Sequence, residues 1–211
     1  YNFEKNKKRF NNYLDKIHYY KINSFHKNSL SLLNYLKYSN LKENKLIYKL
    51  LNEHKHYDKN IFYLILDSYQ RECIHIPLKE LSRDSDTIIF SDLDEIPSLN
   101  FIKYLKNMEK LNHPIVCKQF EFKYYLNSLY SDSWNGSIAA KYIYLKEQSL
   151  NVLRRNSFKL KKYDNGGYHF TSVGGIDILQ YKIENWAHQE FNLDFIKKNL
   201  YKNINLGRDI F

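Results

Sequence analysis

Apolar residues recur every three or four positions over much of the chain, which is the spacing that gathers them on one face of an α-helix. Asp58 and Ser98 are the expected N-caps of two such helices, and Pro77 is expected to end or kink the first of them. The predicted helices cover residues 4–17, 29–56 (as one or two helices), 58–75, 98–108, 145–154, 176–185 and 193–201.

Runs rich in β-branched and aromatic residues predict the strands between these helices. They cover residues 18–22, 87–91, 115–126, 138–144 and 168–172. Residues 131–136 are expected to form a loop, and Gly166 and Gly167 are expected to form a turn into the last strand. Because strands alternate with helices, we predict an α/β fold with one mixed sheet flanked by helices, as a single domain over residues 1–211.

The segment Thr-Ile-Ile-Phe-Ser-Asp-Leu-Asp-Glu-Ile-Pro at residues 87–97 has the pattern of a buried strand that ends at a site. Its apolar run breaks into Asp92, Asp94 and Glu95, and Pro97 is expected to stop further strand pairing. Alternation along an extended strand places Asp92 and Asp94 on one side, roughly 6–7 Å apart at the backbone. Carboxylates this close repel each other unless a cation lies between them or one takes a proton. A hard ion such as Mn²⁺ or Mg²⁺, bridging to substrate phosphates, suits such oxygen ligands.

The composition indicates a packed core, because 43% of the 211 residues are hydrophobic and 17% are aromatic. The net charge of +10 raises the question of a nucleic-acid partner. The basic clusters are scattered and carry no RNA-binding signature, so we interpret them as solvated faces and expect no nucleic acid. Attraction of anionic donors, or a peripheral contact with membrane lipid headgroups, stays open. Cys73 and Cys117 have no CxxC spacing and are expected to be buried free thiols, which favours a reducing compartment such as the cytoplasm.

Several segments occur in the order in which a known family carries them. They are Gln70-Arg71, Ser91-Asp92-Leu93-Asp94-Glu95-Ile96-Pro97, Phe122-Lys123-Tyr124-Tyr125-Leu126-Asn127, Trp134-Asn135-Gly136, Gly166-Gly167-Tyr168-His169-Phe170-Thr171, Lys182-Ile183 and His188-Gln189-Glu190. Together they resemble glycosyltransferase family 17, the family of the bisecting β-1,4-N-acetylglucosaminyltransferase. Tyr168 stands where the family usually has Trp. Family members normally carry an upstream βα segment as well, so we expect the chain to be truncated before Tyr1.

The resemblance implies a GT-A-like, that is Rossmann-like, fold and a metal-dependent, inverting glycosyltransferase. The reaction it implies moves N-acetylglucosamine from a UDP-sugar donor to a glycan acceptor with a β-linkage. Asp94 is the expected direct ligand of Mn²⁺ or Mg²⁺, Asp92 is expected to contact the ribose or a metal-bound water, and His188 is expected to be a further metal ligand. The Golgi lumen is the alternative compartment if a membrane anchor precedes Tyr1.

Inverting transfer also needs a carboxylate that accepts the proton of the acceptor hydroxyl. Glu190, Asp177 and Asp132 are candidates for this base, and Glu190 is our choice. His169, on a predicted strand, is a further candidate catalytic residue that would line the acceptor site.

The remaining candidates bind substrate. Arg71 and Lys182 are the cations expected near the diphosphate, because Arg offers a planar fork and Lys a point charge. Trp134 offers a flat face on which sugar C–H groups could stack. Gly166 and Gly167 either let the backbone approach a ligand closely or form a hairpin turn.

Two other functions fit the same residues. A metal-dependent phosphohydrolase or nuclease would use Asp92, Asp94 and His188 to activate water. A truncated, inactive transferase-like domain would only bind a glycan or a protein partner.

Overall fold

The computed structural model describes residues 3–22, 26–108 and 110–210 of the chain. Its strands are β1 (Thr87–Phe90), β2 (Glu95–Pro97), β3 (Ile115–Lys123), β4 (Leu129–Lys141) and β5 (Lys161–Thr171). Its α-helices are α1 (Phe3–Asn6), α2 (Ser29–Tyr38), α3 (Lys42–Glu53), α4 (Phe62–Glu72), α5 (His75–Leu81), α6 (Leu99–Asn107), α7 (Tyr142–Leu145), α8 (Leu150–Arg155), α9 (Ile176–Asn185) and α10 (Asp194–Asn205). Short 3₁₀ segments cover Lys7–Lys16, Ser157–Lys159 and Gln189–Phe191.

The strands form one mixed sheet in the order β1-β4-β3-β5-β2. β3 and β5 are parallel, whereas the other neighbouring pairs are antiparallel. The register shifts along β3 on both of its sides, so the sheet is irregular around its centre. This arrangement confirms the predicted α/β class and is compatible with a Rossmann-like fold.

Neighbouring residues of β3 and β4 point to opposite sides of the sheet, so both sides present apolar side chains. Helices cover both of these faces. The core on the α6 face consists of Phe101, Leu105, Leu111, Ile115, Cys117 and Ala139. The core on the α7 and α8 face consists of Phe90, Val116, Ile138, Ala140, Leu145, Leu150 and Leu153.

Two further clusters are made mainly by helices. The one among α2, α3 and α4 contains Leu32, Leu36, Ile47, Leu51, Ile65, Tyr69 and Cys73. The one between α9 and α10 contains Tyr124, Leu179, Ile183, Ile196, Leu200, Ile204 and Ile210. In the described part of the chain, no helix is both long and apolar enough to cross a lipid bilayer.

Several predicted elements are confirmed. α9 has the predicted bounds, and the Ser98 side chain accepts the hydrogen bond of Phe101 N at the start of α6. Cys73 and Cys117 are buried free thiols, and burial raises the pKa of each to about 12.

Other predictions for the N-terminal half of the chain are wholly or partly wrong. The N-cap of α4 is Ile61 and not the predicted Asp58. The Asp58 side chain accepts from Asn60 N and makes a turn before the helix. Pro77 does not kink α4, but α4 ends at Glu72, close to the end predicted near His75. The proline lies in the first turn of the next helix, α5, where backbone N–H groups have no partner within the helix. Residues 18–22 form no strand.

Two predictions about the strands are corrected. Residues 131–136 are not a loop but part of β4, where Ser131 and Trp134 pair with Glu121 and Gln119 of β3 across register shifts. β4 ends at Lys141, so the next residues are helical and not extended. Pro97 is the last residue of the edge strand β2, so strand pairing stops at this proline as predicted, although the short strand itself is not predicted.

Gly166 and Gly167 do not form a turn, since both lie inside β5. A Cβ at Gly166 would overlap the Cys117 sulfur, and a Cβ at Gly167 would overlap the Ile96 carbonyl oxygen. These glycines therefore allow the neighbouring strands to pack closely.

Candidate functional site

A cavity of about 700 Å³ lies where α4, the β1–β2 connection, β4, β5 and the end of α9 meet. It collects many of the residues that the sequence indicates: Arg71, Asp92, Asp94, Trp134, His169, Lys182 and His188. A larger cavity of about 840 Å³ lies beside α2, α3 and α4, and it shares Tyr20, Ile22 and Cys73 with the first. The larger cavity contains none of the Asp-x-Asp carboxylates, so we place the candidate site in the smaller one.

The Asp-x-Asp segment is a tight turn and not the end of an extended strand. Glu95 N donates to Asp92 O at 3.1 Å, which closes the turn between β1 and β2. Asp92 N donates in return to the Glu95 side chain at 3.2 Å. The expected alternation of Asp92 and Asp94 along a strand therefore does not apply, although both residues line the cavity.

Each carboxylate oxygen of Asp92 faces a different arginine. Arg71 Nη2 lies 3.6 Å from Oδ1, and Arg154 Nη2 donates to Oδ2 at 3.2 Å. Arg71 is fixed by two more contacts, to Asp67 Oδ2 at 3.2 Å and to Asn151 Oδ1 at 2.8 Å. Asp92 thus has much of its charge compensated by protein groups.

Glu95 is the buried anchor of this turn. Its carboxylate accepts from Trp134 Nε1 at 2.9 Å and from Arg154 Nη1 at 2.9 Å, and the guanidinium group makes a second contact with it through Nη2. Arg154 also donates to the Gly136 carbonyl oxygen at 2.9 Å. Burial alone would lower the pKa of Arg154, but the bonds to Glu95 and the charge of Asp92 outweigh it and raise that pKa.

The helix that carries Arg154 is held by a second buried carboxylate. Glu72, at the end of α4, accepts from Ser149 Oγ at 2.6 Å and from the backbone N–H groups of Leu150 and Asn151 at 3.1 Å. It also accepts from the Asn151 side chain at 2.7 Å. Because a carboxylate satisfies the unpaired N–H groups at a helix start, this joint fixes α8 against α4.

Asp94 points toward a histidine and a lysine. His169 Nε2 lies 3.6 Å from Asp94 Oδ2. Burial would raise the pKa of Asp94, but the contact with His169 and the charges of His169 and Lys182 outweigh it and lower that pKa. Asp94 is therefore ionised at neutral pH.

His169 is buried between charged and aromatic groups. Its ring is stacked on Trp134, with centroids 4.5 Å apart and planes at 20°. Its Nδ1 lies 4.0 Å from Glu121 Oε1, and residues Glu95, His169 and Glu121 are direct neighbours across β2, β5 and β3. The imidazole thus separates Asp94 from a second buried carboxylate.

The cationic side of the cavity is formed by Lys182 and Arg71. Lys182 Nζ donates to Thr171 Oγ1 at 3.3 Å. Burial lowers the pKa of Lys182, and the charge of Asp94 acts in the opposite direction with a smaller effect. A half-buried amine beside one carboxylate is suited to an additional anionic ligand.

The candidate bases lie elsewhere. Glu190 and Asp177 are not among the described residues that line the cavity. Glu190 Oε1 lies 2.8 Å from His188 Nδ1, and this hydrogen bond lowers the pKa of Glu190. Asp177 is exposed in the first turn of α9, and Asp132 is exposed on β4, also outside that lining. His188 lines the cavity and contacts Glu190, so it connects Glu190 to the cavity.

Sequence reasoning misses the roles of Arg154 and Glu72. In the sequence Arg154 is one member of a scattered basic cluster, yet its side chain is only 15% exposed in the fold. The available signal is a Ser149 helix cap, which predicts that a short helix starts there and presents Arg154 one turn later.

The side chains that could bind a metal ion show whether a divalent metal fits the cavity. In residues 3–22, 26–108 and 110–210, no three His, Cys, Asp or Glu side chains are gathered closely enough to hold a metal ion. A metal that takes one or two carboxylates and completes its shell with water and substrate phosphate needs no such cluster. The ionised Asp94 meets that requirement, with Asp92 beside it in the same turn.

Comparison with protein-family models places the chain among the glycosyltransferases. The model described as glycosyltransferase family 17 matches residues 26–211, which is most of the chain and includes every residue of the cavity discussed above except Tyr20 and Ile22. The chain therefore belongs to glycosyltransferase family 17. Comparisons with curated proteins and with solved structures give no match.

Proposed function

We propose that the chain is a metal-dependent, inverting glycosyltransferase with a GT-A-like site, which moves N-acetylglucosamine from UDP to a glycan acceptor with a β-linkage. One observation carries the proposal: an ionised Asp94 faces the same cavity as Arg71 and Lys182. A carboxylate for a divalent metal and two cations for phosphate oxygens are what a nucleotide diphosphate requires. Family 17 membership supports glycosyl transfer as the reaction.

In this proposal Asp94 is the direct ligand of Mn²⁺ or Mg²⁺, and His188 is a further candidate ligand. When bound, the metal would stabilise the charge that develops on the departing diphosphate. Asp92, which two arginines already engage, would contact the ribose or a metal-bound water. Arg71 and Lys182 would attract the diphosphate into the cavity.

The acceptor would enter beside Trp134 and His169. One face of the indole is covered by the imidazole of His169, so a sugar would meet the opposite face or the ring edge. Glu190 remains our proposed base, acting beside His188, with Asp177 as the alternative. A Glu190→Gln variant should then lose about 10²- to 10⁴-fold in kcat, whereas a spectator carboxylate would lose nothing.

The proposal is tested by calorimetric titration of the purified chain with UDP and UDP-N-acetylglucosamine, first with Mn²⁺ and then with EDTA. We expect binding that depends on the metal and that Asp94→Asn abolishes. Asp84→Asn is the matched control, because Asp84 is exposed, lies outside the cavity and forms a surface ion pair with Lys146 at 3.0 Å. Donor affinity that survives Asp94→Asn unchanged would overturn the metal site.

The rival functions give different results in the same assay. A phosphohydrolase or nuclease would release phosphate or cleave phosphodiesters without any sugar acceptor. A domain without transferase activity would bind no uridine donor, although it is folded.

A further inference from the structure

Arg154 makes more polar contacts in the site than any candidate that the sequence indicates. Its guanidinium group donates to Asp92, to both oxygens of Glu95 and to the Gly136 carbonyl oxygen. It therefore joins the two ends of the Asp92–Glu95 turn to each other and to β4. Arg154 does not line the cavity itself, so its influence on a ligand must pass through the residues it holds.

Both carboxylates that Arg154 holds are connected to the cavity, because Asp92 lines it and Glu95 contacts residues that line it. Glu95 also fixes the Trp134 indole through its N–H, at 2.9 Å, and it accepts from Asp92 N. The Trp134 ring is in turn stacked on His169, which faces Asp94. The guanidinium group of Arg154 thus determines the positions of Asp92 and Asp94. It also determines, through Glu95, the positions of the stacked rings of Trp134 and His169.

We propose that Arg154 is a positioning residue, which clamps the Asp92–Glu95 turn so that Asp94 and Trp134 are held ready for the donor and the acceptor. This inference rests on the proposed function for its effect on turnover, but the clamp itself is a property of the chain alone. Its support is the Glu72 joint, which fixes α8 on α4 and so fixes Arg154 relative to Arg71.

The geometry makes the guanidinium group essential. A planar fork reaches two carboxylates and a carbonyl oxygen at once, whereas a lysine ammonium is a point charge on a flexible stem. Arg154→Lys keeps the charge and much of the apolar stem but cannot keep all of these bonds. Arg155→Lys is the matched control, because Arg155 is the next residue on α8 and is exposed.

The first measurement is hydrogen exchange of peptides covering residues 90–97, compared with peptides from β3. In Arg154→Lys we expect faster exchange confined to the turn, because the amides of Asp92 and Glu95 lose their support. Arg155→Lys should leave both regions as in the unchanged chain. Unchanged exchange of the turn in Arg154→Lys, or faster exchange spread equally through β3, would overturn the proposal.

The second measurement is metal-dependent binding of UDP. Loss of a group that orients a metal ligand typically weakens metal affinity or activity by about 10- to 100-fold, and we expect a loss of that size in Arg154→Lys. If the unchanged chain binds no UDP, the proposed function fails, and the exchange data still decide whether the clamp exists. If Arg154→Lys does not fold, Glu95→Gln takes its place, because it keeps the shape of the turn residue and removes the charge that Arg154 holds.

Discussion

His169 lies flat against Trp134 and at the same time 3.6 Å from Asp94, so one imidazole joins the aromatic and the anionic parts of the cavity. The two contacts use different parts of the ring: its face meets the indole and its Nε2 meets the carboxylate. A substitution can therefore remove one contact and leave the other.

His169→Phe keeps an aromatic ring against Trp134 but removes the Nε2 contact. Because that contact lowers the pKa of Asp94 against the opposing effect of burial, we expect the pKa of Asp94 to rise in the variant. Metal-dependent UDP binding should weaken by about 10- to 100-fold at neutral pH and fall further on acidification. Calorimetry at neutral and at mildly acidic pH checks this, with the exposed His113→Phe as control. Equal binding by His169→Phe and the unchanged chain under both conditions would contradict the role of His169.

Lys182→Met should stabilise the fold and weaken the function. Burial lowers the pKa of Lys182, so the folded state carries a penalty for the charged amine at every pH below that lowered value. Removing the amine should add roughly 0.5–2 kcal/mol to the free energy of unfolding at neutral pH. The gain in the free energy of unfolding should shrink as the pH rises toward the usual lysine pKa of 10.5. In that range Lys182 of the unsubstituted protein loses its charge, so burying its amine no longer destabilises the fold. UDP binding should fall, because a cation near the diphosphate is lost.

Urea unfolding at neutral pH and close to the usual lysine pKa measures this difference. Lys198→Met, on the exposed side of α10, is the control and should shift stability little. If Lys182→Met were less stable than the unchanged chain at neutral pH, the bond to Thr171 would outweigh the cost of burying the charge.

Gly166→Ala should destabilise the sheet by about 1–3 kcal/mol, because the new methyl group overlaps the Cys117 sulfur. In a Cys117→Ala background the same change should cost less, since the sulfur is absent. Gly167→Ala meets backbone atoms of Ile96 and Pro97 and should gain no such relief. Urea unfolding of the single and double variants gives the coupling. If Gly166→Ala lowers the free energy of unfolding equally with and without the Cys117 sulfur, the sulfur does not lie against Gly166.

Local signals in the sequence predict the parts of the fold that depend on neighbouring residues. The bounds of α9 follow from its apolar spacing after Gly174 and Gly175, and the start of α6 follows from the Ser98 side chain. The position of β1 and of the carboxylates that follow it can be predicted from a β-branched apolar run that stops abruptly at Asp92. The expectation that this strand is buried is wrong, because β1 lies at the edge of the sheet and only its Phe90 is buried.

The rest depends on contacts between residues far apart in the chain, and one sequence does not reveal them. Arg154 is 59 residues from Glu95 and 62 from Asp92, so its neighbours in the sequence do not indicate that this basic residue is buried. A pair of glycines such as Gly166 and Gly167 is equally compatible with a turn and with a crowded strand. Only the positions of Cys117 and Ile96 on the two adjacent strands decide between these structures.

Glu72→Gln tests the joint between α4 and α8. Burial would raise the pKa of Glu72, but hydrogen bonds from His75, Ser149 and the amides at the start of α8 outweigh it and lower that pKa below its usual 4.5. The carboxylate therefore contributes stability that is fully present above pH 4.5 and is lost as the pH falls through the lowered value. We expect Glu72→Gln to cost roughly 1–3 kcal/mol at neutral pH, because an amide cannot accept all these bonds, and to cost less in acid below the lowered pKa. Urea unfolding under both conditions measures this, with the exposed Glu147→Gln as control. A cost that is equal at neutral and acidic pH would mean that the charge of Glu72 does not hold α8 in place.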